Sequence, residues 1–174
     1  MPPQISLIGP MGAGKSTVGK ALAAALQWPF IDLDMEIVAA AGMPIPQIFS
    51  QRGECLFRAI EGEQLQRLCS DGDAKVLAAG GGAVLHAPNG ARLKQAGLVV
   101  WLDAPPEMLA ARIGGDANRP LLKDVDPLMK ARELALQRNG IYQNLADLHL
   151  RSDQHEVDAL VQQVIQRQRS YGCE

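Results

Sequence analysis

The sequence predicts a three-layer α/β/α fold, a parallel sheet with helices on both faces, and three observations predict it. Short uninterrupted apolar runs recur along the chain, bounded by glycine, proline or polar residues, which is how strands buried on both faces read. Segments with helical apolar spacing separate these runs, and strands alternating with helices imply parallel pairing through right-handed crossovers. The first run leads directly into a glycine-rich loop and then a helix, the arrangement that puts ligands at strand C-terminal ends.

The first strand is Ile5-Ser6-Leu7-Ile8, between Pro3 and Gly9. From Lys15, the residues Val18, Ala21, Leu22, Ala25 and Leu26 repeat at helical spacing until Trp28-Pro29 ends the run. Phe30-Ile31-Asp32-Leu33-Asp34 is expected as the second strand. Asp32 and Asp34, two apart, would then point to the same face. A helical stretch follows from about Phe57 to Leu68, then strands at Val76–Ala79 and Leu98–Leu102. Two helices near Pro106–Arg112 and Pro127–Leu145 precede a short strand at Leu148–Arg151. The last helix carries Val157, Leu160, Val161, Val164 and Ile165, a regular stripe that reads as core packing. The stretch from Gly114 to Asp124 lacks periodicity but has paired glycines and a central Arg119, which suits a mobile lid.

With 174 residues, the chain has the length of about one domain and buries roughly 70% of its unfolded surface. Apolar residues make up 47% and charged residues 21%, the composition of a self-folding globular chain rather than a disordered one. A net charge of −2 provides no general positive field for nucleic acid or an anionic membrane. Any anion must be caught locally. Cys55, Cys69 and Cys173 form no CxxC pair, so neither a disulfide framework nor a zinc site is indicated and a cytoplasmic location is expected. Met1-Pro2-Pro3-Gln4 shows no basic n-region and no apolar run is long enough to span a bilayer, so neither secretion nor insertion is expected.

Gly9-Pro10-Met11-Gly12-Ala13-Gly14-Lys15-Ser16 fits G-x-x-x-x-G-K-[ST] between a buried strand and an amphipathic helix, the context a phosphate-binding loop requires. Its glycines let the backbone curl so that successive N–H groups face phosphate oxygens, reinforced by the helix N-terminus. Lys15 is placed to reach the β- and γ-phosphates, and Ser16 to offer a hydroxyl to Mg²⁺. The loop establishes a nucleoside triphosphate site but is shared by kinases, ATPases and switch GTPases. No guanine-reading Asn-Lys-x-Asp occurs.

Further candidates are the carboxylates Asp32 and Asp34, the glycines Gly80, Gly81 and Gly82 directly after the third strand, and the arginines Arg58 and Arg138. The carboxylates could hold water around Mg²⁺ or accept hydrogen bonds from an acceptor hydroxyl. The glycines permit close approach of a ligand, and the arginines could clamp an anionic group bidentately. Taken singly, each also reads as ordinary surface: solvated aspartates, a plain loop, ion-paired arginines.

Together, in order, several segments resemble the shikimate kinase family, in the nucleoside-monophosphate-kinase-like branch of P-loop proteins. They are Lys15-Ser16-Thr17-Val18-Gly19, Phe30-Ile31-Asp32-Leu33-Asp34, Ile48-Phe49 before Gly53-Glu54, Phe57-Arg58 with Glu61, Gly80-Gly81-Gly82, Arg119-Pro120-Leu121-Leu122, and Arg138 with Tyr142. The resemblance runs from about Gln4 to Asp147. It implies a single P-loop kinase domain over 1–174 with five parallel strands, a substrate-binding region at about 34–61 and a lid at about 113–125. The implied reaction transfers the ATP γ-phosphoryl group to the 3-hydroxyl of shikimate. By position, Lys15, Asp34 and Arg119 would be catalytic. Gly12, Ala13, Gly14, Lys15, Ser16, Thr17, Arg112 and Arg119 would contact the nucleotide, with Arg112 against adenine. Asp34, Arg58, Gly80, Gly81, Gly82 and Arg138 would hold shikimate, and Ser16 and Asp32 would belong to the Mg²⁺ shell. The implied partners are small molecules only, with neither nucleic acid nor membrane, and the implied state is a monomer. Gly140, where the family commonly has proline, is expected to loosen a turn beside Arg138. Gluconate or a nucleoside monophosphate would be the acceptor for a relative of the same fold.

Overall fold

The computed structural model describes residues 4–113 and 126–170. In chain order the elements are β1 (Gln4–Ile8), α1 (Lys15–Leu26), β2 (Phe30–Asp32), α2 (Leu33–Ala41), α3 (Ile45–Ser70), β3 (Lys75–Ala78), α4 (Ala87–Ala96), β4 (Gly97–Asp103), α5 (Pro106–Ile113), α6 (Pro127–Leu145), β5 (Leu148–Arg151) and α7 (Val157–Ser170). A single 3₁₀ turn, Ala83–Leu85, lies between β3 and α4.

The five strands form one parallel sheet in the order β2-β3-β1-β4-β5. β1 is central, with Ile5 opposite Val76 of β3 and Leu98 of β4. Both faces are covered, so the apolar runs need no polar side, and alternate residues divide between two cores. Leu98, Val100 and Leu102 of β4 join Ile5, Leu7 and Val76 beneath α1, α5 and α7. Val99 and Trp101 join Ile8 and Leu77 beneath α2, α3 and α4. Burying one such Leu or Val side chain contributes about 1.5–3 kcal/mol.

The structure corrects the sequence reading at four places. β2 stops at Asp32 and α2 begins at Leu33, so Asp32 and Asp34 do not share a strand face. Asp32 instead caps α2, its carboxylate accepting the Asp34 N–H at 3.0 Å, and Asp34 and Glu36 fill the first turn, where negative charge is favoured. β3 also separates β2 from β1. The helix expected from Phe57 begins at Ile45 and is broken only at Gly53, at φ 79° and ψ 168°, so two helical segments meet at that glycine. α4 was not anticipated: it begins with Pro88 in its first turn, ends before Gly97, and buries Asn89, Gly90 and Leu93 rather than an apolar stripe. Gly140 lies inside the continuous helix α6, not in a turn.

Candidate active site

The glycine loop leaves the C-terminal end of the central strand, hemmed in by β4. A Cβ on Gly9 would sit 2.0 Å from the Leu102 carbonyl oxygen, so no other residue fits there. Gly12 and Gly14 take φ of 81° and 91°, the left-handed conformations that curl the loop. Gly14 is the N-cap of α1 and offers no side chain to it, which leaves the first helical N–H groups to face an anion. The Lys15 ammonium is held by the Gly9 and Pro10 carbonyls, both at 2.8 Å. Ser16 Oγ donates to Asp32 Oδ2 at 3.0 Å, while the other Asp32 oxygen serves the cap of α2.

Ser16 and Asp32 are therefore adjacent oxygen donors beside the cradle. Among the described residues no group of three or more His, Cys, Asp or Glu could hold a metal. That donor set fits Mg²⁺, which takes one or two protein oxygens and fills the rest of its octahedron with water and phosphate.

On the other side of the loop, α3 supplies Arg58 and Glu61 one turn apart. Glu61 is 1% exposed, and its Oε2 accepts from Arg58 Nη1 at 2.8 Å. Glu54, four residues earlier, accepts from Arg58 Nε and Nη2 at 3.3 Å. Burial pushes the Glu61 carboxyl above the usual glutamate range against the pull of Arg58, and the charge of Asp34 adds to the rise. Burial works to lower the Arg58 value, but Glu61 and Glu54 outweigh it and raise it. The Arg58 guanidinium also lies 5.1 Å from the Phe57 ring centroid.

The glycine triplet after β3 passes among these groups. A Cβ on Gly80 would meet Asp34 Oδ1 at 3.3 Å, one on Gly81 would meet Arg138 Nη1 at 3.5 Å, and one on Gly82 would meet two Arg58 nitrogens at 3.0 Å. Side chains here would occupy the space between the charged groups. Arg138 Nε is buried with no hydrogen-bond partner among the described residues, a donor suited to an incoming anion.

One cavity of about 650 Å³ joins both sides, within the usual size of a small-molecule site. Its walls include Gly12, Ala13, Gly14, Lys15, Ser16 and Thr17, then Asp32 and Asp34, and finally Arg58, Gly80, Gly81, Gly82 and Arg138. Arg112 lies at the outer end, donating to the Gly12 carbonyl at 3.0 Å and to Ser152 Oγ at 3.2 Å. Arg119 and nearly all of the expected lid, 114–125, lie outside the described residues. The sequence reading gave no role to Glu54 or Glu61, although their i, i+4 and i, i+3 spacing to Arg58 was a usable signal. It also gave none to Ser152 or to the Phe49 and Phe57 rings, which pack 4.7 Å apart in the cavity wall.

The family model described as shikimate kinase matches residues 11–169. A shikimate kinase of Chromohalobacter salexigens is 45% identical over 165 residues, covering 95% of this chain and 91% of that protein. One from Thioalkalivibrio sulfidiphilus is 44% identical over 160 residues, covering 92% and 84%. Among solved structures, the shikimate kinase from Acinetobacter baumannii in complex with shikimate superposes with a TM-score of 0.90 at 44% identity, covering 95% of this chain and 92% of that one.

Proposed function

Since the chain belongs to the shikimate kinase family, we propose that it transfers the γ-phosphoryl group of ATP to the 3-hydroxyl of shikimate, giving shikimate 3-phosphate and ADP. The observation that carries this reading is the single cavity with a triphosphate cradle at one end and, at the other, a carboxylate and two guanidinium groups around a glycine loop. That second end suits a ring with hydroxyls and one carboxylate.

The chemistry asked of the protein is alignment and charge neutralisation. The acceptor oxygen bonds to the γ-phosphorus as the bond to the β–γ bridging oxygen breaks, and the hydroxyl proton leaves. Asp34 accepts a hydrogen bond from the hydroxyl, orients it and can take that proton. Arg58 and Arg138, with the backbone of Gly80–Gly82, hold the carboxylate and fix the ring. Lys15 exchanges its loop carbonyls for phosphate oxygens and offsets the charge that spreads over them in transfer. Ser16 and Asp32 are the residues that would hold Mg²⁺, which supplies charge neutralisation at the phosphates when bound. Arg112 borders the adenine end. ATP as co-substrate suits a cytoplasmic enzyme. No helix among the described residues is long and apolar enough to cross a membrane.

A coupled ADP-release assay run in parallel with shikimate, gluconate and nucleoside monophosphates tests the reading. Turnover should require shikimate. Equal or faster turnover with another acceptor would overturn it.

A further inference from the structure

Tyr142 stands behind the acceptor end of the cavity, in the second core cluster rather than in the wall. It is 1% exposed. Its hydroxyl donates to the Gly81 carbonyl at 2.7 Å, and the Arg138 guanidinium lies beside the same glycine. A Cβ placed on Gly81 would lie 3.4 Å from the phenol oxygen and 3.5 Å from Arg138 Nη1, which puts the three groups together.

Two features make that oxygen a fixed point. Arg138 and Tyr142 are four residues apart on α6, hence on one face. The Tyr142 ring packs against Trp101 with centroids 5.7 Å apart and planes at 37°, and a close-packed ring has little rotamer freedom. Arg138 has a long flexible side chain, and a packed ring beside its guanidinium limits where its donors can point. The same hydroxyl pins the Gly81 carbonyl. No peptide in the described chain is cis, so the Gly82 N–H of that planar unit points the opposite way, away from Tyr142.

We propose that Tyr142 is a positioning residue for the acceptor's carboxylate: one buried hydroxyl sets the Gly81–Gly82 peptide beside the Arg138 guanidinium before the acceptor arrives. This rests on the reading that Arg138 and the glycine loop hold the carboxylate of shikimate. A packing residue that only satisfied the Gly81 carbonyl would matter for stability and leave the discrimination between acceptors untouched.

Tyr142→Phe keeps the ring and removes the oxygen. The expected result is a shikimate KM about tenfold higher, with kcat and the ATP KM each within about twofold of the parent. KM does not depend on the active fraction, so partial loss of folded protein leaves this read-out intact. An unchanged shikimate KM, or an equal rise in both KM values, overturns the proposal. The carboxamide analogue of shikimate separates the two layers. The parent enzyme should discriminate strongly against the amide and Tyr142→Phe less so. A parent that uses acid and amide equally refutes the carboxylate reading itself; a discriminating parent with an unaltered ratio in Tyr142→Phe refutes only the role of Tyr142.

Discussion

The phosphate end of the cavity is one contiguous run, Gly9–Ser16, whose binding groups are mainly backbone N–H with a single ammonium. The acceptor end brings together Asp34, Arg58, Gly80–Gly82 and Arg138 from four separate segments, and its charged groups are carried on side chains. The difference is one of preorganisation. A curled backbone has no side-chain rotamers to fix, whereas a guanidinium on a long stem needs a support. The two arginines have unlike supports. Arg58 lies on two carboxylates, Glu61 at 2.8 Å and Glu54 at 3.3 Å, which already offset its charge. Arg138 lies beside a phenol, and its Nε has no hydrogen-bond partner among the described residues, so its charge is left for the acceptor.

The largest effect should follow from breaking the phosphate end. Lys15→Ala removes its only ammonium, and kcat should fall by about 10³-fold, in line with other groups that neutralise a transferring phosphoryl. A coupled ADP-release assay measures this, and near-parental turnover would refute the role given to Lys15.

The unequal supports sharpen the comparison within the acceptor end. Arg138→Ala should raise the shikimate KM by about 10²-fold with the ATP KM nearly unchanged, the scale of a lost bidentate charge-assisted pair. Arg58→Ala should raise it by only about tenfold, because that charge is already shared with carboxylates. Steady-state kinetics on both variants decide the matter, and the reverse order would show that the carboxylates position Arg58 without weakening it.

The smallest effect concerns stability. Glu61 is held above the usual glutamate range by burial, so the folded state binds its proton more tightly than the unfolded state does. Its contribution to stability therefore falls as pH rises from the ordinary glutamate value to the raised one, and levels off above that. Urea unfolding of the parent and of Glu61→Gln across that window should show the parent losing stability relative to the variant as pH increases. A difference that is flat, or that grows with pH, would remove burial as the governing influence on Glu61.

Much of the fold could be read from local pattern because each element carried its own signal. The continuous run Leu98–Leu102 could only be a strand covered on both faces, and α6 and β5 begin and end at the residues the pattern indicated. The stretch after Phe30 was ambiguous: alternating Phe30, Asp32 and Asp34 suits a strand, yet Asp32 is also an N-cap, followed by acidic residues and closed by Gly42. The helix took over at Leu33, consistent with the capping carboxylate satisfying the Asp34 N–H. α4 left no stripe to find, since it buries a glycine and an asparagine whose amide donates to the Ala83 carbonyl at 3.0 Å. In the site, the resemblance put Ser16 and Asp32 in one Mg²⁺ shell; in the structure Ser16 Oγ donates to Asp32 where that carboxylate caps α2, and Asp32 shares no strand face with Asp34.

The sequence by itself determined the alternation of strand and helix and the phosphate cradle, because both depend on neighbours in the chain: periodicity fixes which face is apolar, and glycines fix how a short loop can curl. Only the tertiary structure decided that Asp34, Arg58, the glycine triplet and Arg138 face one cavity, that Glu61 holds Arg58 from behind, and that Tyr142 stands beside Arg138. Those relations are distances between segments far apart in sequence. They are set by how α2, α3 and α6 pack on the sheet, which no local pattern of residues encodes.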